Sequence, residues 1–181
     1  MLAYVFWHWP GPEIGTDAYE DLQRVFHRAL AQTAPPGFRE SVVFRIDGDA
    51  PWLGGTPAYA DWYVLDGSAA LDPLNVAAVS GACQGPHDRV AHAAAAGVGS
   101  LLALHGQQAN VAAARHSTWL AKPKGMPYAD FYAALESVSE SLWRRQMVLG
   151  PTPEFGLLSA DPVTIPLGFQ SLELKLSPIT G

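Results

Sequence analysis

Leu2-Ala3-Tyr4-Val5-Phe6-Trp7-His8-Trp9, then Pro10-Gly11-Pro12, then Asp17-Ala18-Tyr19-Glu20-Asp21-Leu22 running on to Phe26-His27, is the stretch from which the fold is read. Its first eight residues are mostly aromatic or β-branched, which suits a strand. Pro10-Gly11-Pro12 stops that strand. Thr16 or Asp17 then offers an N-cap, and Glu20 stands three residues after Asp17, as in a capping box. Ala18, Leu22, Val25, Phe26, Ala29 and Leu30 recur at helical period, predicting an amphipathic helix that ends at Pro35-Pro36-Gly37.

Outward from this unit, residues 38–47 alternate. Phe38, Val42, Phe44 and Ile46 face one way; Arg39, Ser41, Arg45 and Asp47 face the other. Residues 59–65 alternate again, with Ala60, Trp62 and Val64 against Tyr59, Asp61 and Tyr63. Helices are expected over 68–80 and 87–96, separated by a break at Gly81–Pro86, and a strand over 98–104. Gly54-Gly55 and Gly97-Val98-Gly99 read as turns. The order β-α-β-β-α-β is that of a ferredoxin-like plait.

A shorter second unit follows: a strand over 115–122, a helix over 127–138, and strands over 142–149 and 155–159. Prolines at 162, 166 and 178 predict an extended tail packed across the surface. Trp9-Pro10 leading to Tyr19-Glu20-Asp21-Leu22 is echoed by Lys122-Pro123 leading to Tyr128-Ala129-Asp130-Phe131, a spacing that suggests duplication. The expected organisation is residues 1–110, 111–160 and 161–181, packed as one body. The expected class is α+β, with duplicated ferredoxin-like units forming an intramolecular α/β barrel with antiparallel sheets.

The 181 residues are 49% hydrophobic and 15% charged, enough apolar material for a sizeable core. A net charge of −6, with 11 scattered Lys and Arg, argues against a nucleic-acid partner. The lone cysteine, Cys83, is read as a small apolar residue that fits a reducing compartment. The aromatic start lacks a basic flank, and the apolar run 91–104 is shorter than a bilayer span. A soluble, cytoplasmic protein without membrane partners is expected.

Lys122-Pro123-Lys124-Gly125-Met126-Pro127-Tyr128-Ala129-Asp130-Phe131 resembles the basic-Pro-Gly turn and following helix of the EthD-like branch of the dimeric α/β-barrel superfamily. Pro10 through Tyr19, with His27 beyond, and Asp61-Trp62-Tyr63-Val64-Leu65-Asp66 resemble other parts of that pattern. The resemblance implies two ferredoxin-like sheets meeting face to face around a cavity, built here by one chain as a pseudo-dimer or by a homodimer. Ala133-Ala134 stands where the second unit would carry the helical His. The superfamily holds cofactor-free monooxygenases, isomerases, cyclases and haem enzymes, so fold alone constrains activity little.

In such a barrel one sheet face carries helices and the other lines the cavity. Tyr4, Phe6 and Tyr63 are the expected ligand-binding walls; His8, Asp61 and Arg45 are the expected catalytic set. His8 would be the general base, Asp61 would orient it, and Arg45 would stabilise an anion or enolate. The expected ligand is a small aromatic or polyketide-like compound, handled without cofactor. The helical wheel puts His27 on a flank, in a solvent-facing or packing role. Lys122, Arg144 and Arg145 are solvated strand residues or contacts for an anionic group. His87 and His92, five apart, do not share a face as a metal pair would, and no metal site is expected. A second reading is a non-catalytic binding or assembly protein whose barrel is simply packed; a third is a haem-binding enzyme with His105 or His116 as axial ligand. A cavity closed by Trp and Phe side chains would sink both the small-molecule and the haem readings.

Overall fold

The computed structural model describes residues 1–106, 110–136, 138 and 141–180. The chain folds as β1 (Leu2–Pro10), α1 (Thr16–Thr33), β2 (Phe38–Asp47), β3 (Ala58–Leu65), α2 (Leu71–Ala78), α3 (Gly81–Ala93), β4 (Ala94–His105), β5 (His116–Leu120), α4 (Tyr128–Leu135), β6 (Leu142–Arg145), β7 (Phe155–Ser159) and β8 (Ser171–Pro178). The helix expected over 127–138 is shorter, and its Ser137 lies outside the described residues, as does Gly181 of the tail. The strands close into one antiparallel barrel in the order β1-β3-β2-β8-β5-β7-β6-β4. The first four strands lie in the order β4-β1-β3-β2, and the last four repeat that order as β8-β5-β7-β6. Among the described residues the fold is α+β, with a closed eight-stranded barrel and four α-helices.

Several expectations are corrected. The tail over 161–181 contains β8, which pairs with β2 on one side and β5 on the other and so completes the barrel. Pro86 does not break a helix: it sits inside α3, costing one backbone hydrogen bond in the second turn. Gly97 and Gly99 are strand residues of β4, not turn residues. No capping box forms on α1. Gly15 is the N-cap without a side-chain bond, and Glu20 is buried, tied to Arg24 and Arg45. The buried face of α1 is Tyr19, Glu20, Gln23, Phe26, His27 and Leu30, whereas Val25 is exposed.

The alternation separates the two faces of the first sheet, but their environments are the reverse of those expected. Val5, Trp7, Val42, Phe44, Ala60, Trp62 and Val64 point into the barrel with Trp119, Trp143, Leu174 and Leu176. Trp52, from the β2–β3 loop, joins this core. Trp119 packs edge-on against Trp7 and Trp52, with centroids 5.5 and 5.6 Å away; Trp143 meets Trp62 at 5.5 Å. Such edge-to-face contacts, added to burial of the large rings, pack the interior with side chains. A ligand inside the barrel is thereby excluded. Tyr4, Phe6, His8, Asp61 and Tyr63 face outward instead, beneath α1, α2 and α3. Across the molecule, α4 and the segment before β8 cover the other outer face, where Phe131, Leu135, Phe155 and Leu157 pack with Val163, Ile165 and Phe169.

Candidate functional site

Strand register builds the site. Tyr4 stands opposite Leu101 and Tyr63, Phe6 opposite Gly99 and Asp61, and His8 opposite Gly97 and Tyr59. Three cross-strand rows of outward side chains result. The glycines of β4 are needed here: a Cβ on Gly97 would lie 2.2 Å from the Phe6 ring and 2.7 Å from the Trp7 carbonyl oxygen, and one on Gly99 would lie 3.0 Å from the Tyr4 ring. Their absent side chains leave room for a row of nearly parallel rings, with Tyr4–Phe6 at 24° and Phe6–His8 at 21°.

Asp61 is the hub. Its Oδ1 lies 2.9 Å from His8 Nε2 and its Oδ2 3.4 Å from His27 Nε2; the Tyr63 hydroxyl donates to Oδ2 at 3.0 Å. His8 Nδ1 lies 2.6 Å from the Tyr19 hydroxyl, and His27 Nδ1 lies 2.8 Å from Ser41 Oγ. A carboxylate can only accept, so each imidazole turns an Nε2–H toward Asp61. Nδ1 of a neutral ring is then an acceptor, and Tyr19 and Ser41 donate to it. His8, His27 and Asp61 are 1%, 3% and 2% exposed, so α1 and the sheet hold this network out of water. Burial by itself would raise the Asp61 carboxyl; the charges of His8 and His27, with their hydrogen bonds, outweigh it and hold the group well below the usual carboxylate range. Burial and then the Asp61 charge push the Tyr19 phenol up, and the Tyr63 phenol responds to the same two causes.

Above the network lies a cavity of about 660 Å³. Tyr4, Phe6, His8, Asp61, Tyr63 and Gly97 floor it; Tyr19 and Phe26 of α1, Leu74 and Ala78 of α2, and His87 and Val90 of α3 wall it. Its size and its apolar lining with a few convergent polar groups are those of a small-molecule site.

The structure brings Tyr4, Phe6, His8, Asp61 and Tyr63 together. It does not bring Arg45, whose half-exposed guanidinium bonds Glu20 Oε1 at 3.1 Å and lines no part of the cavity. Glu20 in turn accepts a bond from the Tyr59 hydroxyl, and Tyr59 stacks on His8. Burial, followed by the Glu20 charge and hydrogen bond, pushes the Tyr59 phenol up to about 12. The flank position expected for His27 is corrected: it is buried against Asp61. Tyr19 and His27 are the functional candidates that the helical stripe concealed. Their signal was the polar set at 19, 20, 23 and 27, a helical face matched to a polar sheet face.

The remaining candidates lie elsewhere. His105 stacks on Tyr132 at 3.8 Å, and His116 Nδ1 is 2.6 Å from Glu173. Arg144 binds Glu154 and covers the Tyr128 ring, Lys122 donates to the carbonyl of Met126, and Arg145 donates to the carbonyls of Gly150 and Thr152. Cys83 is buried beside Thr33. Among the described residues no three of His, Cys, Asp and Glu gather so as to hold a metal ion, and no helix is long and apolar enough to cross a membrane.

No protein-family model matches the chain, and no curated protein matches it in sequence. Its structure is similar to that of a putative monooxygenase from Lactobacillus acidophilus NCFM, with a TM-score of 0.58 and 10% identity over 99% of this chain and 94% of that one. At that identity the likeness is one of fold alone, the closed eight-stranded antiparallel barrel.

Proposed function

We propose that this chain is a small-molecule-binding barrel protein that works through the cavity outside the barrel, as a cofactor-free enzyme on an aromatic or polyketide-like compound. The observation that carries this reading is the Asp61 carboxylate, shared by two buried imidazoles under an aromatic-floored cavity. A purely architectural sheet face has no need of such a network, because burying charge is costly unless chemistry or exact pairing repays it. His8 serves as the base, and Asp61 fixes its tautomer. The repeated strand order supports an internal duplication, and the resemblance at 122–131 supports an EthD-like origin; one chain then builds as a monomer the barrel that single-unit relatives build as a dimer. Among the described residues, Phe131, Phe155 and Leu157 fill the outer sheet face of the second half that α4 covers.

The packed tryptophan interior favours a second reading, a non-catalytic binding protein with the same cavity. One titration tests what both share. Calorimetry with 2-naphthol should show binding to the native protein. Ala78→Trp, which puts an indole into the cavity, should weaken it at least tenfold, and Arg45→Gln should leave it unchanged. Equal binding by Ala78→Trp would contradict the location.

A further inference from the structure

Both ring nitrogens of His8 are already engaged, Nε2 by Asp61 and Nδ1 by Tyr19. A ligand proton therefore has no free position on the imidazole to reach. With the His8 hydrogen on Nε2, the buried Tyr19 hydroxyl donates to His8 Nδ1 and retains lone pairs, and Tyr19 is among the residues that line the cavity. The charge of the cavity points the same way. Among the described residues that line it, the ionisable acids other than tyrosine are Asp61 and Asp72, and there is no Lys or Arg. An anionic ligand would meet the Asp61 and Asp72 carboxylates without a Lys or Arg, His8 and His87 being the groups of the lining that can turn cationic.

We infer that Tyr19 is the residue that takes the ligand's proton, passing its own to His8, and that the cavity selects an uncharged hydroxylated molecule over an anionic one. This inference rests on the ligand-cavity reading above. In the step, the ligand O–H bond breaks and its proton bonds the Tyr19 oxygen, while the Tyr19 O–H bond breaks and that proton bonds His8 Nδ1. The electron pair stays on the ligand oxygen. The products are a ligand oxyanion and an imidazolium paired with Asp61, so no oxidant or co-reactant is required. A phenol held protonated by burial and by the nearby carboxylate suits a relay that carries a proton only when it receives one. His27, on the other oxygen of Asp61, shares the carboxylate and positions it.

2-Naphthol is a photoacid whose neutral and ionised forms emit at different wavelengths, so its bound emission reports whether a proton acceptor is in reach. In the native protein the bound dye should emit from the ionised form, and 2-naphthoate should bind at least tenfold more weakly than 2-naphthol. Tyr19→Phe and His8→Gln, each read at saturating 2-naphthol, should return the emission of the bound dye to the neutral form. Neutral emission in the native protein, ionised emission retained in Tyr19→Phe, or equal affinity for 2-naphthoate would overturn the relay or the selectivity while leaving the cavity reading standing. Failure of 2-naphthol to bind at all, with Ala78→Trp indistinguishable from native, would overturn both.

Discussion

Asp61 holds one negative charge against two imidazoles in a space closed to water, and its removal is felt as an uncompensated buried site. Replacing one member of such a group costs about 3 kcal/mol, so Asp61→Asn should lower unfolding stability by roughly that amount in urea. The pH dependence follows from the direction of its shift. A carboxyl held below its ordinary value contributes stability in full above the unfolded value of about 3.9. That contribution is lost as pH falls through the lower, folded value. Urea denaturation between pH 6 and pH 2 should show a steep decline below about pH 4 in the native protein and a shallower one in Asp61→Asn. At this scale the sequence was informative about pairs and silent about reach. His8 and Asp61 were legible as partners because both alternate onto one face. Arg45 alternates onto that face too, but its long side chain turns to Glu20, a partner the helical pattern had assigned to a cap.

β4 shows how an element is shaped by what it lacks. Gly97 and Gly99 let the Phe6 and Tyr4 rings lie flat on the strand, so Gly97→Ala must displace a ring or the backbone beside it. Overpacking of this kind costs about 1–3 kcal/mol. Thermal unfolding of Gly97→Ala should fall by several degrees, and an unchanged midpoint would contradict the packing described. α1 carries the complementary lesson. Of its apolar stripe of Ala18, Leu22, Val25, Phe26, Ala29 and Leu30 the helix buries Phe26 and Leu30, and with them the polar-tipped Tyr19, Glu20, Gln23 and His27. Hydrophobic periodicity finds the core face only where the surface beneath is apolar. Here the sheet beneath carries Ser41, Tyr59, Asp61 and Tyr63, so a polar helix face is the one that matches. The alternation in β3 and over residues 41–47 of β2 was correct, since pleating sets period two whatever lies on either side; Phe38 falls on the opposite face from the one expected, because the register shifts between Phe38 and Glu40.

For the whole molecule, closure is the decisive term. β8 joins the two halves at one seam, and the pairing of β4 with β6 joins them at the other. The sequence reading missed β8 because prolines at 162, 166 and 178 resemble a tail. The alternation Leu172, Leu174, Leu176 against Glu173 and Lys175 was nonetheless present. A chain ending at Gln170 would leave the edges of β2 and β5 unpaired and open the tryptophan core to water. It should lose cooperative unfolding, seen by circular dichroism; a transition as sharp as that of the full chain would contradict the role given to β8. Closure also explains why two faces were told apart but assigned to the wrong environments. Alternation sorts residues into two sets, and only the volume of the tryptophans within an eight-stranded barrel decides which set is enclosed. Trp119→Ala should therefore cost about 3–5 kcal/mol in unfolding stability without altering the cavity under α1.

The central claim is that the working cavity lies outside the barrel, between the first sheet and its helices. Nuclear Overhauser contacts from bound 2-naphthol test it most directly. Contacts are expected to the Ala78, Val90 and Ala91 methyls and the Phe6 and Tyr19 rings. Contacts to the indole rings of Trp62, Trp119 or Trp143 would place the ligand inside the barrel and contradict it.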